Sequence, residues 1–153
     1  MEHLLEREQF LPSPLGEVFA FFSDAHNLER ITPPWLRLQV LTPAPIAMAV
    51  DARIDYRLRL AGVPLRWRTR IVEWKPEQRF VDEQERGPYA VWRHEHRFVP
   101  LAHGVLMYDG VRYALPAGPL GRAAHALAVR AALAAIFDYR FARVREIFAW
   151  KGR

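Results

Sequence analysis

The chain contains no cysteine among its 153 residues. Disulfides and thiolate metal sites are therefore excluded, and a cytoplasmic location is expected. A phosphate-binding loop is also missing, because Gly118-x-x-Gly121 is not followed by Lys-Ser/Thr. No Ser-His-Asp or Cys-His triad can be assembled, and no cofactor motif is found, so neither a cofactor nor a bound metal is expected. There is no internal repeat, linker or low-complexity tract. The opening MEHLLEREQF is too charged for a secretory leader. The apolar run 123–135 is interrupted by His125 and Arg130 and is too short for a bilayer, so no transmembrane segment is expected. Lysine occurs only at positions 75 and 151, so arginine dominates the 22 basic residues that set against 17 acidic ones give a net charge of +5. Asp and Glu are interleaved with the arginines along the same segments. That mixing fits a solvated, cross-paired sheet face and argues against a nucleic-acid or ribosomal partner.

What is present points to one domain spanning 1–153, with 51% hydrophobic residues to build its core. From Arg122 to Lys151 neither Gly nor Pro occurs, and Ala, Leu, Arg, Phe and Ile predominate. This predicts one long helix from Leu120 to about Trp150, opened by Gly118-Pro119 and closed by Gly152. At ~1.5 Å per residue it would run roughly 45 Å, enough to cross a small domain.

Upstream, the chain reads mainly as strands. His3 to Leu11 is a first strand. Ser13-Pro14 is expected to cap a short helix carrying Val18, Phe19, Phe21 and Phe22. Asn27 to Ile31 predicts a second short helix, and Trp35 to Leu41 a strand. From Asp51 to Leu60, Ala52, Ile54, Tyr56, Leu58 and Leu60 alternate with charged residues, as in a half-buried strand. Ala61-Gly62-Val63-Pro64 turns the chain, and Leu65, Trp67, Thr69 and Ile71 alternate with Arg66, Arg68 and Arg70. Strands follow over Phe80–Glu85, 90–98 and 105–113, separated by short turns. Such a series is an antiparallel meander, and the long helix is the element large enough to cover its inner face.

Several blocks carry a family resemblance: Ser13-Pro14; Asp24 to Leu28; Phe80 to Tyr89 followed by Trp92-Arg93-His94-Glu95-His96-Arg97-Phe98; and Asp109-Gly110-Val111-Arg112-Tyr113 with Leu115-Pro116 and Leu120-Gly121. With the element order, they make the chain resemble the START-related, polyketide-cyclase-like SRPBCC domains of the helix-grip superfamily. The resemblance implies an α+β fold: a curved antiparallel sheet of about seven strands around a long C-terminal helix, two short helices after strand 1, and an elongated cavity between sheet and helix. It does not assign a function, since this superfold hosts carriers, cyclases, hydrolases and regulators.

Strand parity puts Tyr56, Thr69, Asp82, Gln84, His94, His96, Asp109 and Tyr113 on the covered face among apolar residues. Buried polar groups must find partners or line a wet cavity. The expected ligand-binding set is Tyr56, Trp67, Thr69, Gln84, Trp92, His94, His96, Asp109, Tyr113, Leu127 and Ala131. His94 and His96 lie two apart and share a face. They read as part of a hydrogen-bonded network, as an acid/base pair, or as two metal ligands joined by Asp109. Asp109 is expected to bond a histidine of the neighbouring strand. Alanines crowd the first half of the long helix and would leave room for a ligand. That half is apolar on several sides, which suggests a second subunit. Gly87-Pro88-Tyr89 and Pro33-Pro34-Trp35 are expected at the cavity mouth. The expected function is carriage or sensing of an apolar small molecule such as a lipid, polyketide, isoprenoid or quinone. The alternatives are a cyclase or dehydratase using His94 or His96, and a ribosome- or RNA-associated regulator.

Overall fold

A computed structural model describes residues 1–116 and 118–149, without the side chains of residues 125 and 126. Seven strands form one antiparallel sheet: β1 His3–Leu11, β2 Gln39–Val40, β3 Arg53–Leu60, β4 Val63–Lys75, β5 Arg79–Arg86, β6 Val91–Leu101 and β7 Gly104–Ala114, in the order β1-β7-β6-β5-β4-β3-β2. The alternating segments become strands because one face of each can be buried. In β3 the burial follows the sequence, with Ile54, Tyr56 and Leu58 buried between exposed Arg53, Arg57 and Arg59. The β3–β4 hairpin closes on Ala61 and Gly62, both at positive φ (47° and 80°), which lets Leu60 pair with Val63.

The outer face is cross-paired, as its charge pattern predicts. Arg68 bonds Asp55 at 2.7 Å, Arg53 bonds Glu85 at 3.0 Å and Arg79 bonds Glu73 at 2.7 Å. These pairs are solvent-screened and add little stability individually.

Helix α1 (Leu15–Ser23) and a 3₁₀ turn (Ala25–Arg30) follow β1. The helix begins after Pro14 without a side-chain cap, so Ser13 does not play the capping role expected of it. Trp35 to Leu41 is not a strand. Pro34–Leu36 is a 3₁₀ turn and only Gln39–Val40 pairs with β3, because Pro33-Pro34 fix a tight turn first.

The C-terminal helix starts at Gly118 and runs as α2 (Gly118–Ala124), a π segment (His125–Val129) and α3 (Arg130–Ile147). The expected end near Trp150 and the stop at Gly152 lie outside the described residues. In α3, Leu133, Phe137, Arg140 and Val144 are buried, at the three- and four-residue spacing of a single helix face. That stripe closes the sheet's inner surface against Val111, Tyr113, Val105 and Met107. The first half is exposed instead, with Leu120 77% and Leu127 85% accessible. By length and composition, Gly118–Ile147 is one helix long and apolar enough to cross a membrane, so the expectation of no transmembrane segment is neither met nor overturned. Its second half, however, is core. Leu133→Ala is expected to lower unfolding free energy by about 2–5 kcal/mol in chemical denaturation, since Leu133 is 4% accessible. A loss below about 1 kcal/mol would mean that this stripe is not what seals the sheet.

Candidate functional site

Between β3–β6, α3 and the segment from α1 to the first 3₁₀ turn lies a cavity of about 170 Å³. Its walls are largely apolar: Ile54, Leu58, Trp67, Ile71, Phe80 and Trp92 from the sheet, Leu133, Ile136 and Phe137 from α3, and Phe21, Phe22, Leu28 and Ile31 from the N-terminal elements. Trp67 and Trp92 meet edge to face with centroids 5.0 Å apart, and Tyr89 packs 4.8 Å from Trp92. Polar groups that face it include Tyr56, Thr69, Asp82, His94, His96 and Arg140.

Register brings these groups together. His94 pairs with Asp82 across β5–β6, and His96 with Asp109 across β6–β7. A carboxylate thus stands on each side of the two imidazoles, whose centroids are 4.0 Å apart. His94 Nε2 donates to Asp109 Oδ1, while its Nδ1 faces Asp82 Oδ2 at 3.8 Å. His96 lies the other way round, with Nε2 3.9 Å from Asp82 Oδ2 and Nδ1 3.8 Å from Asp109 Oδ1. From α3, Arg140 lies over the Phe137 ring at 4.7 Å and places Nη1 3.6 Å from Asp109 Oδ2. Among the described residues, His96 Nδ1 and Arg140 Nε are buried without a hydrogen-bond partner.

The two carboxylates are driven apart electrostatically. Burial alone would raise Asp109, but the charge and hydrogen bond of His94, then His96 and Arg140, hold it well below the usual carboxylate range. Asp82 is pushed up to about 6 by burial, against the pull of His94 and Arg140. Burial, then the neighbouring His94, holds His96 well below its ordinary value.

Of the expected set, Tyr56, Trp67, Thr69, Trp92, His94 and His96 line the cavity. Asp109 sits behind the imidazoles, against a smaller hollow. Gln84 is turned to the hairpin tip, where its Nε2 donates to the Tyr89 carbonyl at 2.7 Å. Tyr113 is buried with Val111, Leu133 and Phe137 rather than at the cavity wall. Leu127 and Ala131 are exposed and are not cavity-lining residues, because the helix turns its Leu133–Phe137–Arg140 face inward. Among the described residues, the alanines of that half are not cavity-lining. Of the two segments expected at the mouth, Tyr89 lines the cavity, whereas Trp35 is 59% accessible and packs on Tyr139.

Sequence reasoning missed Arg140 and left Asp82 out of the site. The signal for Arg140 was a cation at the spacing that holds Leu133, Phe137 and Val144. A register shift in β4 after Ile71 lets Trp74, outside the parity assignment, pack inward on Phe19 and Phe80.

These shifts predict pH-dependent stability of the chelator-treated protein. The contribution of His96 is complete above its ordinary 6.5 and is lost as pH falls below it. The Asp109 contribution is present above the ordinary 3.8 and is lost as pH falls through its lower folded value. Asp82 acts oppositely: its contribution is full below 3.8 and is lost as pH rises through about 6. Asp82→Asn is therefore expected to exceed the unmodified protein at pH 7 by roughly 3 kcal/mol, with the gap closing toward pH 4. Parallel denaturation curves at both pH values would show that Asp82 is not strained by ionisation.

Comparison with known proteins agrees with this architecture. A protein of Chromobacterium violaceum superposes with a TM-score of 0.73 at 13% identity, covering 95% of this chain and 96% of that one. Ginseng major latex-like protein 151 from Panax ginseng gives 0.70 at 10% identity, covering 97% and 98%. A protein of Thermus thermophilus gives 0.67 at 19% identity, covering 95% and 99%. At these identities the likeness is one of fold. No curated protein gives a significant sequence match. The family model described as "Polyketide cyclase / dehydrase and lipid transport" matches residues 11–145. Strand order, helix placement and that match together make this chain a member of the polyketide cyclase/dehydrase and lipid transport family, with the helix-grip fold.

Proposed function

We propose that the protein binds a compact apolar molecule in the cavity between sheet and α3, holding a polar end of that molecule against His96 and Arg140. The carrying observation is the cavity itself: about 170 Å³, walled mostly by aliphatic and aromatic side chains, with charge gathered around His94 and His96. Small-molecule sites commonly have this division. The family's description, which names lipid transport beside cyclase and dehydrase activity, supports the same class of ligand. Size narrows it. A cavity of ~150 Å³ accommodates a benzene-sized molecule, so one or two fused rings suit this space better than a long acyl chain. Polyketide-like and quinone rings are favoured within the class.

Trp67 and Trp92 report directly on occupancy. Quenching of tryptophan fluorescence by bicyclic quinones and phenols is expected, at lower concentration than by fatty acids. Leu58→Trp, which fills the cavity from a buried position, should weaken quenching at least tenfold. Unaltered binding by this variant would place the ligand elsewhere.

A second reading, cyclase- or dehydratase-type proton transfer, draws on the opposed carboxyls across the imidazole pair, an arrangement suited to acid/base work. It requires turnover of an aromatic polyketide mimic that His96→Ala abolishes while quenching persists. A homodimer remains a proposal carried by exposed Leu120 and Leu127; Leu127→Asp would leave the gel-filtration elution volume unchanged in a monomer.

A further inference from the structure

The residues around the imidazole pair are arranged more specifically than ligand binding alone requires. Asp82 Oδ2 stands 3.8 Å from His94 Nδ1 and 3.9 Å from His96 Nε2, and the three residues each offer a donor atom within 4.8 Å of the others. These distances exceed a hydrogen bond. A tetrahedral site with bonds of ~2.0–2.2 Å has donors about 3.3–3.5 Å apart, so the two Asp82 separations need to close by about half an ångström, and the imidazole pair, whose donors lie within 4.8 Å, by at most about 1.5 Å.

The protonation pattern points the same way. His94 Nε2 donates to Asp109, so in the neutral ring Nδ1 presents a lone pair toward Asp82. Two acceptors that face each other need a cation between them, either a proton or a metal ion. His96 repeats the arrangement: its Nδ1, buried and without a partner, lies 3.8 Å from Asp109, leaving Nε2 toward Asp82. Imidazole ligands usually present their second nitrogen to a carboxylate, which fixes tautomer and ring orientation. Here one carboxylate, Asp109, stands behind both rings. Arg140 lies against Asp109, at 3.6 Å, so it offsets the charge of the backing carboxylate.

We propose that Asp82 Oδ2, His94 Nδ1 and His96 Nε2 form a three-residue site for a divalent transition metal, with Asp109 as its positioning carboxylate and the remaining coordination positions open to the cavity. Two imidazoles and one carboxylate suit zinc, cobalt(II) or iron(II) rather than magnesium or calcium. This departs from the sequence-based expectation in two ways: a metal site is present, and Asp82 rather than Asp109 supplies the carboxylate ligand. The proposal does not rest on the apolar-ligand reading, because the metal is titrated without any organic ligand.

The test is titration of chelator-treated full-length protein with Co²⁺, read by visible absorption and by isothermal calorimetry, followed by Zn²⁺ competition. The expected result is one-to-one binding with a low-symmetry cobalt spectrum that Zn²⁺ abolishes. Asp82→Asn and His96→Gln, which keep side-chain volume, should each weaken binding by more than about a hundredfold. Asp109→Asn should retain the spectrum and weaken binding about 10–100-fold. His103→Ala, in the exposed β6–β7 turn, should bind as the unmodified protein does. Circular dichroism of each variant establishes folding. No cobalt spectrum in the folded unmodified protein, or full binding by folded Asp82→Asn, would overturn the site and leave a proton as the shared cation.

Discussion

The hydrogen bond from His94 to Asp109 lies where the sheet, the helix and the cavity meet. Its two residues, 8% and 11% accessible at their side chains, belong to adjacent strands. A carboxylate buried this far from water is tolerable only if its charge is matched. Asp109 meets that condition with His94 on one side and Arg140 on the other. Arg140 comes from α3, so satisfying Asp109 also sets the depth and rotation of the helix against β7. Phe137, one turn earlier, sits beneath the guanidinium and beside the His94 ring, at 4.7 and 5.7 Å. The polar network and the apolar stripe are thus two aspects of one docking contact.

That contact also shapes the hollow. α3 packs on β7 through Leu133, Phe137 and Val144, with Arg140 beside Asp109, and leaves the cavity between itself and β3 and β4. The space left between them keeps its apolar lining along the sheet. Leu58, Trp67 and Trp92 supply bulk without hydrogen bonds, while the ionisable groups collect around β5, β6 and the middle of α3. A cavity built in this way discriminates by size at its apolar walls and by charge at the imidazole pair. The two carboxylates complete the asymmetry. Asp109, hydrogen-bonded by His94 and faced by the Arg140 guanidinium, stays ionised, whereas Asp82, dominated by burial, ionises reluctantly.

Much of the architecture was legible in the residues. Alternation from Ala52 to Ile71 needs no context, since period two with one charged face has few solutions other than a half-buried hairpin. The breaker-free run after Gly118-Pro119 marks a long helix, and parity put His94, His96 and Asp109 on one covered face. The short segment around Trp35 was not legible, because its apolar residues fit a strand or a turn equally and Pro33-Pro34 decide in favour of the turn. Nor was Trp74, since a bulge changes parity through local pairing that composition does not show.

The helix marks the division most clearly. Sequence determined that residues following Gly118 would be helical and long, because propensity and the lack of breakers act locally. It also determined that the polar residues of β5, β6 and β7 would be buried together, because strand alternation is local too. Which side of the helix faces inward was decided by tertiary structure. Leu133, Phe137, Arg140 and Val144 turn to the sheet, and Leu127 and Ala131 turn away, because a buried carboxylate on β7 requires a cation at the position Arg140 can reach. That is a relation between residues 31 apart in the chain (109 and 140), visible only once strand and helix are side by side.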